Sequence, residues 1–328
     1  MAAITTAYDT YGVKGIREDL TNDIYNISPE DTPVLSMAGR ESVRNTLHEW
    51  QTDTLEAAVT TNKVVEGDDI STTVFPAVAA TARVGNYTQI SRKLIAINDT
   101  LEAVDKAGRA SEKAYQLAKR SAELKRDMEY TINSMQAGNA GGPTTARATA
   151  CLGAWLKSNT YFDATTTPGV DPTYTAGVPD TARTDGTQVA YTETILKYVV
   201  AAGWSSGADV SRWVHLLGPV NKAKASAFSG VATATYNQNT PKPFAIIGSA
   251  DIYVSEFGTF TIKANRFQRE RDGWFLDPRY LKVGYLRPFK MVPLAKTGDA
   301  EKMMLLAEWT LVVSNEAAHG ASYDLTTT

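Results

Sequence analysis

Residues 98–136 read NDTLEAVDKAGRASEKAYQLAKRSAELKRDMEYTINSMQ. Leu101, Val104, Gly108, Ser111, Tyr115, Ala118 and Ala122 recur at steps of three and four, and Leu124, Met128, Ile132 and Met135 continue at a shifted phase. That spacing predicts one helix over the whole stretch. Asn98 or Asp99 can cap its start, and Gly138 with Gly141-Gly142-Pro143 stops it. Glu102 with Lys106 and Asp105 with Arg109 are i,i+4 pairs in the favourable acid-to-base order. Unbroken, the helix would run about 58 Å, far beyond the usual three turns. Its weak apolar stripe, made largely of alanine, argues against a simple coiled coil.

The flanks are strand-like. Before the helix, Thr46–Asp53 alternates with polar residues on both faces, and Arg83–Ile97 alternates through Val84, Tyr87, Ile90, Leu94, Ile95 and Ile97. Between them lie the acidic turn Glu66-Gly67-Asp68-Asp69 and a Thr/Ala/Val-rich return, which together predict a long two-stranded ribbon. Two strands bury too little to stand alone in water, so the ribbon needs a partner surface. Residues 1–45 show no sustained period, and Pro29 and Pro33 favour turns, giving an extended arm with little core of its own. After the helix, residues 158–186 are rich in Thr, Pro, Gly and Asp and read as a long loop. Thr192–Ala202 and Asn221–Ser229 read as helices, and Trp213–Leu217 as a buried strand. Asp251–Phe257, Thr259–Asn265, Trp274–Asp277, Leu281–Leu286 and Lys302–Val313 read as further strands. The order predicts an α+β chain without a βαβ repeat.

Composition excludes several classes of function. The 328 residues carry 33 Lys plus Arg and 36 Asp plus Glu, a formal charge of -3, which argues against a dedicated nucleic-acid binder. A single cysteine, Cys151, leaves no internal disulfide framework and no thiolate metal cluster within one chain. The longest apolar run, Met303–Val313, is interrupted by Glu308 and is too short to span a bilayer. Met1–Tyr8 lacks a basic segment followed by an apolar core, so no secretory signal is expected and the compartment reads as cytoplasm-like.

Catalytic patterns are weak throughout. Gly203-Trp204-Ser205-Ser206-Gly207 matches the nucleophile pattern G-x-S-x-G formally, yet a helix enters and a strand follows, the reverse of the order that strains such a serine. His48, His215 and His319 share no ligand spacing, and Glu66, Asp68 and Asp69 lack the spacing of a calcium loop. Gly138–Pro143 has the glycines of a phosphate loop without its Lys-Ser/Thr, and it follows a helix. Arg266, Arg269 and Arg271, softened by Glu270 and Asp272, suggest a loop or intersubunit ion-pair site. No catalytic, cofactor or metal residue is expected, and the chain reads as a non-enzyme.

Several segments and their order resemble the major capsid proteins of tailed bacteriophages with the HK97-like fold, in a branch carrying a HEWQTD-type segment. The resemblance rests on residues 17–35 (REDLTNDIYNISPEDTPVL), 48–55 (HEWQTDTL), 66–69 (EGDD), 86–90 (NYTQI), 107–118 (AGRASEKAYQLA) and 123–129 (ELKRDME). It continues through 213–219 (WVHLLGP), 286–289 (LRPF) and 312–320 (VVSNEAAHG), sparing the loop at 158–186. It implies an N-arm at 1–45, an E-loop with flanking strands at 46–97, and the spine helix of a peripheral domain at 98–145. An axial domain would occupy 146–260, with 261–328 returning through both. The function implied is a shell subunit assembling as hexamers and pentamers into an icosahedral phage head around double-stranded DNA. That DNA would be enclosed without sequence-specific binding, in a virion built in the bacterial host cytoplasm. No membrane contact is implied. Nothing before Arg17 resembles the charged helical scaffolding segment of some relatives, so separate scaffolding and portal proteins are expected. Lys63, the one lysine in the ribbon before Lys93, does not establish a covalent cross-link, and noncovalent assembly is expected. Tyr8, Tyr11, Trp50, Glu66, Asp68, Asp69 and Arg83 are the expected intersubunit positions. The rivals are an encapsulin-like compartment, a serine hydrolase using Ser205 and a monomeric α+β binding protein.

Overall fold

In the computed structural model, which describes residues 31–67, 80–106, 108–163, 167–228 and 251–328, the stretch 98–136 forms two helices rather than one. A short helix, Asp99–Ala103, is followed by a long one, Glu112–Ile132. Gly108 takes φ +76° between them, a left-handed conformation that ends regular helix and suits glycine. Ser111 then restarts the helix by accepting the Ala114 N–H at 3.3 Å. Glu102 of the short helix accepts the Glu112 N–H at 3.0 Å, and Lys106 Nζ donates to the Leu101 and Glu102 carbonyls at 2.8 and 3.0 Å. Orphan groups at both ends are thereby satisfied, which is why the break is stable. The Glu102–Lys106 pair forms at 3.6 Å, whereas Arg109 pairs with Glu112 across the break instead of Asp105. The long helix ends at Ile132, before the glycines, with the Asn133 N–H returning to the Glu129 carbonyl at 3.2 Å.

In chain order the helices are α1 (Pro33–Met37), α2 (Asp99–Ala103), α3 (Glu112–Ile132), α4 (Leu152–Trp155), α5 (Glu193–Ser205) and α6 (Pro219–Ser226). The strands are β1 (Gly39–Ser42), β2 (Leu47–Thr52), β3 (Ala82–Tyr87), β4 (Gln89–Asn98), β5 (Thr160–Tyr161), β6 (Thr173–Thr175) and β7 (Val178–Thr181). They continue with β8 (Val214–Leu217), β9 (Ile252–Ser255), β10 (Gly258–Ala264), β11 (Gly273–Leu276), β12 (Leu281–Pro293), β13 (Ala300–Val313) and β14 (Gly320–Ser322). Among the described residues they build a four-stranded sheet, β1-β12-β13-β4, a six-stranded sheet, β5-β14-β11-β8-β10-β9, and the two-stranded pairs β2-β3 and β6-β7. The late strands fall where alternation predicts them, although β12 runs on to Pro293 beside β13.

The alternating stretch 83–97 divides at Thr88: β3 pairs with β2, while β4 pairs with β13 in another sheet. The change of partner is held by polar groups taken out of water. Fully buried Asn86 donates to the Ala150 and Leu311 carbonyls at 2.9 and 2.7 Å and accepts the Ala150 N–H at 2.7 Å. Thr88 Oγ1 donates to Glu308 at 3.0 Å. Glu308, the residue that interrupts the last apolar run, lies buried between Arg147 and Arg287. A buried carboxylate needs such partners.

Among the described residues two large apolar cores result, beside a small cluster of Ile95, Ile97 and Met303. One places Leu124, Met128 and Ile132 of α3 against Leu305, Trp309, Leu311 and Val313 of β13, together with Trp155, Trp274 and Tyr323. The other places Ile195, Leu196, Val199 and Val200 of α5 on one face of the six-stranded sheet, against Trp213, Phe260, Ile262 and Phe275. Gly203 of α5 is required by this packing, since a Cβ there would lie 2.1 Å from the Trp213 ring. The predicted loop at 158–186 contains a β6–β7 hairpin. Its two-residue turn, Ala176-Gly177, has φ +51° and +82°, the signs of a type I′ turn. The Gly177 carbonyl accepts the Gly85 N–H at 3.1 Å, and the Tyr174 hydroxyl donates to the Trp155 carbonyl, so the hairpin is pinned to β3 and α4.

Candidate functional site: exposed assembly surfaces

The β2–β3 ladder ends at Thr52↔Ala82, and the chain runs on from β2 through residues 53–67 without strand pairing. In the segment beyond it, Leu55 is 100% exposed and Val59, Val64 and Val65 are 66–80% exposed. Single exposed apolar side chains are ordinary, but four in eleven residues of extended chain form a surface that water solvates poorly. Asp53, Glu56 and Glu66 make the same segment acidic. Gly67 turns the chain with φ +82° and open space around it.

The expected intersubunit positions divide into three groups. Tyr8, Tyr11, Asp68 and Asp69 lie outside the described residues. Glu66 and Arg83 are exposed, Arg83 leaning on Glu49 at 3.2 Å. Trp50 is already engaged within the chain. Its indole stacks on Trp155 with centroids 5.5 Å apart and donates to the Ser314 carbonyl at 3.2 Å, leaving only part of the ring to a neighbour.

The chain's buried charges tie segments together. Glu129 of α3 is fully buried and accepts the Val34 and Leu35 N–H groups at 3.1 and 2.9 Å, Asn265 Nδ2 at 2.9 Å and Asn133 Nδ2 at 3.2 Å. Burial raises its pKa against the pull of those donors. The sequence carried a signal for it, since Glu129 stands next to Met128 and three residues before Ile132, inside the apolar stripe. A second network joins Arg183, Arg269 and Arg271 to Asp185, Asp272 and Asp324. Arg183 donates to Asp324 at 2.6 Å, Arg271 to Asp324 at 2.9 Å and Arg269 to Asp185 at 2.6 Å. Arg269 and Arg271 therefore serve contacts within the chain, between the loop before Gly186 and the C-terminal segment. Asp272 is wholly buried, and desolvation pushes its pKa up to about 7 against the opposing charge of Arg269 at 3.5 Å.

The catalytic patterns dissolve in three dimensions. Ser205 is exposed at the last turn of α5, and its neighbour Ser206 donates to Asn159 at 2.7 Å. A helix leads into this serine, and no strand strains it. His215 stacks on Phe275 at 3.7 Å and shares a 2.7 Å hydrogen bond with the Tyr191 hydroxyl, while His319 Nδ1 accepts the Asp277 N–H at 3.1 Å. Desolvation lowers these two imidazoles to about 3 and about 4, so both are neutral packing groups at pH 7. His48 lies 3.6 Å from Glu41 on the β2 ribbon, away from both.

Comparison with known proteins gives one consistent picture. The family model described as SU10 major capsid protein matches residues 3–326. The major capsid protein of Escherichia phage Phieco32 is 38% identical over 132 residues, which is 40% of this chain and 37% of that protein. The match thus spans little more than a third of that relative's length. Among solved structures, the capsid asymmetric unit of cyanophage A-1(L) superposes with a TM-score of 0.66 at 12% identity, covering 97% of this chain and 99% of that one. The holo-SrpI encapsulin complex of Synechococcus elongatus PCC 7942 does so with a TM-score of 0.53 at 10% identity, covering 96% and 94%. At these identities the likeness is one of fold.

Proposed function

The chain belongs to the SU10 major capsid protein family, and from that premise we propose that it is the major subunit of an icosahedral phage head, a structural protein rather than an enzyme. It assembles with copies of itself as hexamers and pentamers around double-stranded DNA, inside the bacterial host cytoplasm. Residues 1–45 act as the N-arm, 46–97 as the E-loop with its strands, and 98–145 as the region of the spine helix in the peripheral domain. Residues 146–260 lie mainly in the axial domain, and 261–328 return through both. Tyr8, Tyr11, Trp50, Glu66, Asp68, Asp69 and Arg83 contribute to contacts between copies. Scaffolding and portal functions come from separate proteins, and the subunits are joined noncovalently.

The observation that supports this best is the ribbon. Leu55, Val59, Val64 and Val65 enter no core among the described residues, and in a closed shell a neighbouring copy covers them. An encapsulin-like compartment shares the fold, but the family match favours the phage head.

Size-exclusion chromatography with light scattering, followed by negative-stain microscopy, tests the reading. Rings or closed shells are expected. A double change, Leu55→Asp with Val64→Asp, should abolish them while leaving the far-ultraviolet circular dichroism of the subunit unchanged. A species that stays near 35.5 kDa at every concentration refutes unaided self-assembly and leaves assembly dependent on a separate scaffold. Nuclease-protected DNA in shells recovered from infected cells separates a phage head from a protein-filled compartment.

A further inference from the structure

The turn between β10 and β11 buries an aspartate that its surroundings leave unsatisfied. Asp272 is fully buried, yet neither of its carboxyl oxygens has a hydrogen-bond partner among the described residues. Arg269 Nε lies 3.5 Å away, beyond ordinary hydrogen-bond length, while Arg269 Nη2 donates to Asp185 at 2.6 Å. The same cluster holds spare donors. Arg183, its side chain wholly out of water, commits Nη2 to Asp324 and leaves Nε and Nη1 without partners among the described residues, as Arg271 leaves its Nε. Buried polar groups without partners cost free energy, and here donors and acceptor stand in one cluster without closing on each other.

The charges of the cluster balance only when Asp272 is neutral. Arg183, Arg269 and Arg271 then face Asp185, Asp324 and, 3.9 Å from Arg183, Asp171. Ionisation of Asp272 adds a fourth acid, out of water and without a hydrogen bond. Tyr323, stacked under the Arg183 guanidinium, stays neutral because burial raises its hydroxyl pKa. Glu270 turns instead to the backbone of Val220 and Asn221 at the start of α6.

Residues 167–187 close over this cluster. Val170 and Thr184 exchange backbone hydrogen bonds at 3.0 and 2.9 Å, the Thr187 N–H donates to the Thr167 carbonyl at 2.9 Å, and the Gly186 N–H donates to Asp324 at 2.9 Å. The fit is close, since a Cβ at Gly169 would lie 2.0 Å from Arg183 Nη2. The same segment carries the β6–β7 hairpin, whose Gly177 carbonyl holds the Gly85 N–H of β3.

We propose that Asp272 is a proton-operated latch on residues 167–187: the neutral acid lets the segment close over the arginine cluster, and ionisation drives it open, loosening the β6–β7 hairpin from β3. The sign follows from linkage. Opening hands the carboxyl to water, where its pKa is about 3.9, whereas in the closed state desolvation pushes it up to about 7 against the charge of Arg269. Opening therefore releases a proton between these values, and each rising pH unit from about 4 to about 7 eases it by up to about tenfold, levelling off above 7. Asp324, held below the ordinary value by its bond from Arg183 despite burial, titrates beneath this window. His215 and His319 bond to Tyr191, Trp274 and Asp277 rather than to residues 167–187, and they act on global unfolding with the opposite sign. The latch belongs to the subunit and stands apart from the shell reading.

Hydrogen exchange of the full chain, read by mass spectrometry on peptides covering residues 167–187 and corrected for the intrinsic pH dependence of exchange, tests it. Protection there should fall by about tenfold or more between pH 5 and pH 7 in the native chain and change less than about threefold in Asp272→Asn. Arg269→Gln removes the opposing charge, so its fall should continue from pH 7 to 8.5, where the native chain has levelled off. Protection that does not change with pH in the native chain would overturn the proposal. So would the same fall in Asp272→Asn, which would assign the titration to another group such as Asp171, and so would an Arg269→Gln curve that levels off at the native pH.

Discussion

Replacing Glu129 with Gln tests the reasoning about buried charge most directly. The substitution keeps the shape of the side chain, so no cavity enters the comparison. The native carboxylate accepts four N–H groups from three parts of the chain: Val34 and Leu35 at the foot of the arm, Asn133 at the end of α3, and Asn265 after β10. With the amide oxygen at the Oε1 position, Val34, Asn133 and Asn265 retain an acceptor that has lost its charge. The amide NH2 then confronts the Leu35 N–H, donor against donor. A stranded donor costs about 1–3 kcal/mol, and weakening the remaining bonds adds about 1–2 kcal/mol. Against this, a neutral amide is cheaper to bury than the carboxylate whose pKa burial has raised. The expected net loss is about 2–3 kcal/mol. Urea unfolding followed by tryptophan fluorescence reads the global effect, and native-state amide exchange at Val34 and Leu35 reads the local one. Both should fall, with the two amides losing the most protection. A variant as stable as the native protein, or more stable, with unchanged exchange at both amides, would refute the assignment of Glu129 as the tie between these segments.

Two further expectations concern pH. The buried imidazoles of His215 and His319 have pKa values lowered to about 3 and about 4, so the unfolded chain takes up their protons first. Their contribution is complete above about pH 6.5 and is lost as pH falls toward 4, reaching about 4 kcal/mol for the pair at pH 5. In His319→Asn the amide oxygen can still accept the Asp277 N–H, so this variant should lose about half of that slope between pH 6.5 and 5. A slope equal to the native one would contradict the burial argument. Asp272 has the opposite sign. With its pKa pushed up to about 7, its contribution is present below the ordinary aspartate value and fades as pH rises through 7. Asp272→Asn should therefore be neutral only below about pH 4, gain on the native chain by about 1–2 kcal/mol at pH 5 and by up to about 4 kcal/mol at pH 8.5, less whatever Arg269 loses; destabilisation at pH 8.5 would show that Arg269 depends on this carboxylate.

The apolar periodicity of residues 124–132 and the alternation of the late strands were legible because each reports a local repeat set by one buried face. The same is true of Glu308, whose charge inside an apolar run marks a residue that needs partners. The break at Gly108 was harder to read. Glycine and Ser111 fall in phase with the helix, and what separates α2 from α3 is a set of hydrogen bonds from Glu102, Lys106 and Ser111 that spacing alone does not rank against a continued helix. The loop at 158–186 was misleading for a related reason. Its composition is that of a turn-rich segment, yet Tyr174, Val178 and Arg183 bury themselves against residues distant in the chain.

The sequence by itself determined the class of the protein: an acidic, nearly cysteine-free α+β chain with a long helix, a coreless ribbon and no spaced catalytic groups. Those are properties of composition and short-range pattern, which local physics sets. Tertiary structure alone decided which strands share a sheet on either side of Thr88, and where the buried charges of Glu129 and Asp272 find their partners. Each of these depends on residues from tens to hundreds of positions apart meeting in space, and a local repeat carries no record of its distant partner.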